Sequence, residues 1–196
     1  PDAILTTDGG YYAKRHIPLS LNKYNIPLAL SSESSVYSKI LEENTIIPLT
    51  YNDSPSDEIL YNMIENLTPA SRNGTVSGTA VNFALNLTDG NIFVCGLDLD
   101  SNKSFSHTQP NYLEIDDSLK DNRFKPKETR LFPSTLKNPA LEIYKNWFSN
   151  QNFYNRVFRL SNNYSFSNSL GSIEDVNWDF FETNIKKNIN LIENYK

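Results

Sequence analysis

Residues 73–111 read NGTVSGTAVNFALNLTDGNIFVCGLDLDSNKSFSHTQPN, and three patterns follow one another in this stretch. A loop of small residues leads into apolar positions at helical spacing, which predicts a helix beginning at Val76 or Ser77. An apolar run after the next glycine turn predicts a strand over 91–97. A polar loop carrying His107 completes the stretch. This succession of loop, helix, strand and loop is typical of α/β proteins.

The rest of the chain repeats the alternation of strands and helices. Further strands are predicted at residues 1–8, 26–30, 45–49 and 156–160. Further helices are predicted at residues 11–17, ahead of residue 41, and at residues 55–67, 139–148 and 178–192. Such alternation predicts a Rossmann-like α/β fold, with a mostly parallel sheet and helices on both faces. Because no linker interrupts the pattern, we expect one domain over residues 1–196.

Composition excludes several classes of protein. The net charge is −5 and no basic run occurs, which argues against a partner that is nucleic acid. The single cysteine, Cys95, excludes a disulfide framework and is expected to be a buried strand thiol. No apolar run approaches the roughly 20 residues of a membrane span. No signal peptide is visible, so a cytoplasmic protein is expected.

Two segments have the pattern of ligand contacts. The loop from Arg72 to Thr79 precedes a helix, whose free N–H groups and dipole favour an anion. The alternative is that Gly78 and Ala80 are small because the helix packs tightly. Asp8 follows the first predicted strand, where open α/β sheets place ligand contacts. The alternative for this residue is that it caps the next helix.

Candidates for acid–base chemistry follow the strand at 91–97. His107 could act as a general base, a general acid or a donor to a phosphate, or it could be an ordinary surface histidine. Asp98 and Asp100 could hold a divalent cation, but alternate strand residues point to opposite faces. No nucleophile elbow or cysteine–histidine arrangement predicts covalent catalysis.

Four blocks of the sequence resemble conserved blocks of one protein family. They are PDAILTTDGGYYAKRHI (1–17), NGTVSGTAVNFAL (73–85), FVCGLDL (93–99) and SHTQPN (106–111). They look like the motility accessory factor family, whose central domain is similar to family 42 sialyltransferases and to 6-hydroxymethylpterin diphosphokinases. The similarity to the sialyltransferases continues through Tyr144-Lys145 and VFRLSNNYSFSNSLGSI (157–173). The blocks occur in the expected order and cover most of residues 1–173.

The resemblance implies a glycosyltransferase with a sialyltransferase-like fold. It would transfer a nonulosonic acid, of the sialic, pseudaminic or legionaminic type, from a donor activated with cytidine monophosphate (CMP). The acceptor would be a flagellin serine or threonine or a surface glycan, and no metal cofactor would be needed. The residues that would contact the nucleotide or border the donor pocket are Asp8, Asn73, Gly74, Thr75, Ser77, Gly78, Thr79, Gly96, Ser161 and Asn162.

The chain departs from the family at two places. The sialyltransferases carry a base histidine in the loop before the helix that here begins at Asn138, and this chain has Phe132-Pro133-Ser134-Thr135 there. His107 would then be the base or support the leaving group, or Asp98 would be the base. The family's upstream phosphate loop is also absent. Because the chain begins at Pro1 without methionine, we expect a piece of a longer protein that lacks its N-terminal strands.

Two other functions stay open at this point. A pterin diphosphokinase would need ATP and Mg²⁺, with Asp8, Asp98 and Asp100 as a metal cluster. A catalytically inactive module for flagellar or surface assembly would account for the missing base histidine. The sequence favours the glycosyltransferase, with His107 and Asp98 as the candidate catalytic residues.

Overall fold

The structure, a computed structural model, describes residues 1–11, 13–99, 118–126, 139–161 and 169–193. These residues form two compact units. The first contains the described residues up to Phe83 together with 118–126, and the second contains 84–99 and the described residues from Pro139 onward. Each unit has a parallel sheet and helices, so the α/β class predicted from the sequence is confirmed.

The sheet of the first unit has four parallel strands in chain order. They are β1 (Ile4–Thr6), β2 (Leu28–Ser31), β3 (Ile46–Thr50) and β4 (Thr68–Pro69). The helices that follow them are α1 (Ser38–Glu43), α2 (Pro55–Met63) and α3 (Val76–Leu87), and β1 is followed by the 3-10 helices Ala13–His16 and Leu19–Tyr24. Because the strands are parallel, all four carboxyl ends lie at the same edge of the sheet.

Successive residues of β2 pack on opposite faces of this sheet, as strand geometry requires. On one face, Leu28 and Leu30 form a buried cluster with Ile40 of α1. On the other face, Ala29 packs with Phe83 of α3. The sheet of the first unit is therefore covered by helices on both faces, and burial of these apolar side chains stabilises the unit.

The second unit has its own sheet of three parallel strands. They are β5 (Ile92–Val94), β6 (Val157–Leu160) and β7 (Glu174–Val176), and the helices are α4 (Pro139–Asn150) and α5 (Trp178–Glu193). Aromatic rings hold α5 to this sheet. The Phe93 ring stacks on Phe158 with centroids 5.5 Å apart and meets Phe181 of α5 edge-on at 5.0 Å.

Two predictions from the sequence are corrected here, and two short strands were not predicted. Strand β5 ends at Val94, and Cys95 follows it as an exposed thiol, so the prediction of a buried strand thiol is wrong. Gly96 has φ +79°, a left-handed conformation, so the chain leaves the extended geometry of the strand there. Helix α2 ends at Met63, a residue that is 75% exposed, whereas the apolar spacing predicts a helix that continues to residue 67. Strands β4 and β7 were not predicted, because each is too short to show alternation.

Other boundaries agree with the sequence. Ser54 caps α2 with its side chain accepting from the Asp57 N–H at 3.1 Å, and Pro55 is the first helical residue, as the sequence predicts. Helix α3 begins at Val76, one of the two starting points expected. No helix in the described part of the chain combines the length and the apolar character needed to cross a bilayer.

Candidate functional site

A pocket of about 390 Å³ opens at the carboxyl edge of the first sheet. Its walls come from the segments that follow β1, β2, β3 and β4 and from the first turn of α3. The lining residues are Thr7, Asp8, Glu33, Tyr51, Ser71, Arg72, Asn73, Gly74, Thr75, Val76 and Thr79. Parallel α/β sheets bind their ligands beyond the carboxyl ends of the strands, so this pocket is the candidate site of the first unit.

The loop between β4 and α3 is organised around the buried side chain of Asn73. Its amide nitrogen donates to the Ser71 carbonyl at 2.9 Å and to Thr79 Oγ1 at 3.2 Å. Its oxygen accepts from the Thr75 N–H at 3.0 Å. A Cβ atom on Gly78 would lie 2.5 Å from the Asn73 side-chain carbon Cγ. Gly78 is therefore small because the Asn73 side chain lies against it, and this contact within the loop differs from the tight packing of the helix on the sheet that was the alternative.

The first turn of α3 borders the pocket through Val76, and two N–H groups of this turn need acceptors. Thr75 is the residue before the helix, and its hydroxyl accepts from the Gly78 N–H at 2.8 Å. The N–H groups of Val76 and Ser77 have no acceptor among the residues that the structure describes. Gly74 has φ +80°, a conformation that glycine adopts without strain. This end of the pocket therefore has the geometry and partial positive charge that suit an anion.

Asp8 lies where a ligand contact is expected and does not have the helix-capping role that was the alternative. It lines the pocket, and its Oδ1 accepts from the Gly10 N–H at 2.8 Å, which closes a turn rather than capping a helix. The turns after β1 and β2 are joined, because the Ser35 N–H donates to the Asp8 carbonyl at 2.9 Å. A Cβ on Gly9 would lie 2.6 Å from the Glu33 carbonyl oxygen. This edge of the pocket is thus fixed by close backbone packing.

An ion-pair cluster at the pocket was missed by sequence reasoning. The Arg72 guanidinium donates to both oxygens of Glu33, at 3.0 and 2.6 Å, and to both oxygens of Asp53. It also lies over the ring of Tyr51, 4.4 Å from the centroid. The residues of this cluster are far apart in the sequence, so no short sequence motif contains them. Their only shared signal is that Glu33, Asp53 and Arg72 each closely follow the end of a strand.

The cluster carries more negative than positive charge at neutral pH. Hydrogen bonds from Arg72 hold the pKa of Glu33 and of Asp53 below their usual ranges. The same bonds raise the pKa of Arg72. Two ionised carboxylates therefore share one guanidinium. Because all three side chains are nearly half exposed, solvent screens the attraction, and the cluster contributes little to folding stability.

In the second unit, a buried arginine holds the segment after β5. Arg159 of β6 is 1% exposed, and its Nε and Nη2 donate to the two oxygens of Asp175, at 2.6 and 2.9 Å. Its Nη1 donates to the carbonyl of Leu97 at 3.2 Å. Gly96 and Asp98, two of the predicted site residues, flank that carbonyl. Their backbone position therefore depends on a charge that the sequence analysis did not consider.

The predicted site residues fall into four groups. Five line the pocket of the first unit, and they are Asp8, Asn73, Gly74, Thr75 and Thr79. Ser77 and Gly78 lie in the first turn of α3 without lining the pocket, and Gly96, Asp98 and Ser161 belong to the second unit. His107 and Asn162 lie outside the described residues. Within the described ranges, no group of three His, Cys, Asp or Glu side chains could hold a metal ion.

Comparison with known proteins shows a similarity over part of the chain. The chain is 29% identical over 152 residues to an uncharacterized protein of Treponema pallidum (strain Nichols). The aligned region is 76% of this chain and 33% of that protein, so the chain spans about a third of the length of its relative. No family model matches the sequence, and no solved structure matches it either.

Proposed function

We propose that the chain carries the donor site of a glycosyltransferase that transfers a nonulosonic acid from a CMP-activated donor. The observation that supports this most directly is the pocket at the carboxyl edge of the first sheet. It is lined by Asp8 and by the loop of Asn73, which belong to two of the blocks that resemble the motility accessory factor family. Its volume of about 390 Å³ lies within the range usual for small-molecule sites.

Two parts of the pocket lining, the start of α3 and Asp8, suit different parts of such a donor. In this proposal, the N–H groups of Val76 and Ser77 bind the phosphate at the start of α3. Asp8 uses its Oδ1 to close the turn with Gly10, and in this proposal its Oδ2 accepts hydrogen bonds from hydroxyl groups of the ribose or the sugar. A pocket that offers both N–H donors and a carboxylate suits a ligand that has both a phosphate and hydroxyl groups.

The reaction needs a leaving phosphate and a deprotonated acceptor. The acceptor hydroxyl oxygen bonds to the anomeric carbon, the bond from that carbon to the phosphate oxygen breaks, and CMP departs with the bonding electrons. The proton of the acceptor passes to a general base, for which His107 and Asp98 are the candidates. Donors at the start of α3 stabilise the negative charge that develops on the departing phosphate.

Nucleotide binding tests the first step of this proposal. We expect isothermal titration calorimetry to detect binding of CMP and of CMP-sialic acid to the chain. Asp8→Asn should lower the affinity for CMP-sialic acid by roughly tenfold, which is the effect of losing one charge-assisted hydrogen bond. Asparagine can still accept from the Gly10 N–H, so the turn should survive. The matched control is Asp2→Asn, an exposed carboxylate outside the pocket. Binding of ATP with Mg²⁺ and no binding of CMP would favour the diphosphokinase instead.

Transfer activity tests the second step. The full-length protein should transfer a nonulosonic acid from its CMP donor to flagellin or to a glycan, or hydrolyse the donor slowly without an acceptor. We expect the substitution that removes the base, His107→Ala or Asp98→Ala, to lower the rate by about 10²- to 10⁴-fold. Mass spectrometry of the acceptor measures this. Activity that survives both substitutions would exclude these bases, and flagellin binding without any transfer would support the assembly module.

A further inference from the structure

We propose that Arg72 is an anion-binding residue of the pocket and that Glu33 is its internal competitor, which a carboxylate or phosphate of the ligand displaces. The inference rests on the proposed function in one respect, since it requires that the pocket binds an anionic ligand. It goes further by assigning a second anion subsite, at Arg72, that the family resemblance did not assign to this chain.

The geometry of the cluster separates the two carboxylates that hold Arg72. Glu33 and Arg72 both line the pocket, whereas Asp53 does not. Asp53 bonds the Nε and Nη2 side of the guanidinium, and Glu33 bonds the Nη1 and Nη2 side. A ligand in the pocket therefore meets the side that Glu33 covers. Asp53 and the ring of Tyr51 can keep the guanidinium in place while that side changes its partner.

The charges around the pocket favour the replacement of Glu33 by an anionic group of the ligand. Asp8, Glu33 and Asp53 supply three carboxylates near one guanidinium, so these four groups together have a charge of −2 if all are ionised. A further anion would be repelled while Glu33 covers Arg72. When the ligand takes the place of Glu33, it receives the same two parallel N–H bonds, because carboxylate and phosphate both match the guanidinium edge.

Glu33 can leave Arg72 at little cost because its side chain is partly exposed to solvent. The side chain is 43% exposed, so water can solvate the carboxylate after it leaves Arg72. Its backbone is held by the close approach of Gly9 to the Glu33 carbonyl, so only the side chain needs to rotate. The subsite then favours ligands with two anionic groups, one at the start of α3 and one at Arg72. A CMP-activated nonulosonic acid has both, in its phosphate and its carboxylate.

Substitution of Glu33 tests the exchange. In the full chain, Glu33→Gln should tighten binding of CMP-sialic acid by roughly fivefold to tenfold, because the charged competitor is lost. Arg72→Gln should weaken the same ligand by at least tenfold, while neither substitution should change binding of uncharged cytidine. Asp53→Asn is the matched control, because it removes the other carboxylate partner without changing a pocket residue, and its effect on CMP-sialic acid should be smaller than that of Glu33→Gln.

The outcomes separate this inference from the proposed function. Weaker binding of CMP-sialic acid by Glu33→Gln would mean that Glu33 contacts the ligand itself, and the inference would be overturned while the donor site stands. Titration with inorganic phosphate tests the subsite without any nucleotide. If CMP ligands do not bind but phosphate binds more tightly to Glu33→Gln than to the unmodified chain, the subsite stands and the glycosyltransferase proposal fails. No binding of phosphate and no gain for any CMP ligand would overturn the subsite.

Discussion

Substitution of Gly78 by alanine is expected to lower the free energy of unfolding by about 2 kcal/mol and to disrupt the pocket. Helix propensity alone predicts the opposite sign, because alanine is better than glycine in a helix interior by roughly 0.5–1 kcal/mol. The new Cβ, however, would lie 2.5 Å from Cγ of Asn73. Asn73 would have to leave its place and lose its bonds to Ser71, Thr75 and Thr79, each contributing about 1 kcal/mol.

A double-mutant cycle isolates this clash. On the background Asn73→Ala the obstacle is gone, so Gly78→Ala should then stabilise the chain by roughly 0.5–1 kcal/mol, as helix propensity requires. The effect of Gly78→Ala on the free energy of unfolding should therefore have opposite signs in the two backgrounds, and urea unfolding measures it. If Gly78→Ala stabilises both backgrounds, Asn73 does not restrict position 78. CMP titration of the single variant reports the pocket, because displaced Asn73 no longer organises the loop before α3.

This pair shows what the sequence could and could not reveal about the loop. Small residues before an apolar helical pattern correctly predict the start of α3 and indicate that something approaches the backbone there. They do not say what approaches, because a ligand, a sheet or a side chain leaves the same requirement for glycine. The structure identifies Asn73, five residues earlier, as a neighbour of Gly78. The anion cradle and the packing explanation are therefore compatible rather than exclusive.

The ion-pair cluster was beyond sequence reasoning for a different reason. Glu33, Asp53 and Arg72 are brought together only because β2, β3 and β4 are neighbours in one parallel sheet. Of these strands, β4 has two residues, Thr68 and Pro69, and a strand that short has no period to recognise. Without β4 in the predicted sheet, there was no reason to place Arg72 beside Glu33. Helix α2, by contrast, was predictable because its cap and its first proline are local signals.

The second large effect is expected in the other unit, where Asp175→Asn should lower the free energy of unfolding by about 3 kcal/mol. Arg159 is 1% exposed, and the substitution removes the negative charge of Asp175 from beside its buried guanidinium. The value is at the lower end of the range for broken buried pairs, because Asp175 itself is 40% exposed and water can partly replace it. Glu174→Gln is the matched control, an exposed charge on the same strand, and should change stability by less than about 0.5 kcal/mol.

Removing the buried charge as well distinguishes its desolvation from simple loss of contacts. Arg159→Met added to Asp175→Asn should recover part of the stability, because the buried guanidinium is then removed together with the Asp175 carboxylate. It should not restore the bond to the Leu97 carbonyl, so amide hydrogen exchange at residues 96–98 should stay faster than in the unmodified chain. A double variant no more stable than Asp175→Asn would mean that the contacts of Arg159, rather than its buried charge, explain the loss. Faster exchange beside Asp98 in a stable variant would connect this arginine to the position of a candidate catalytic residue.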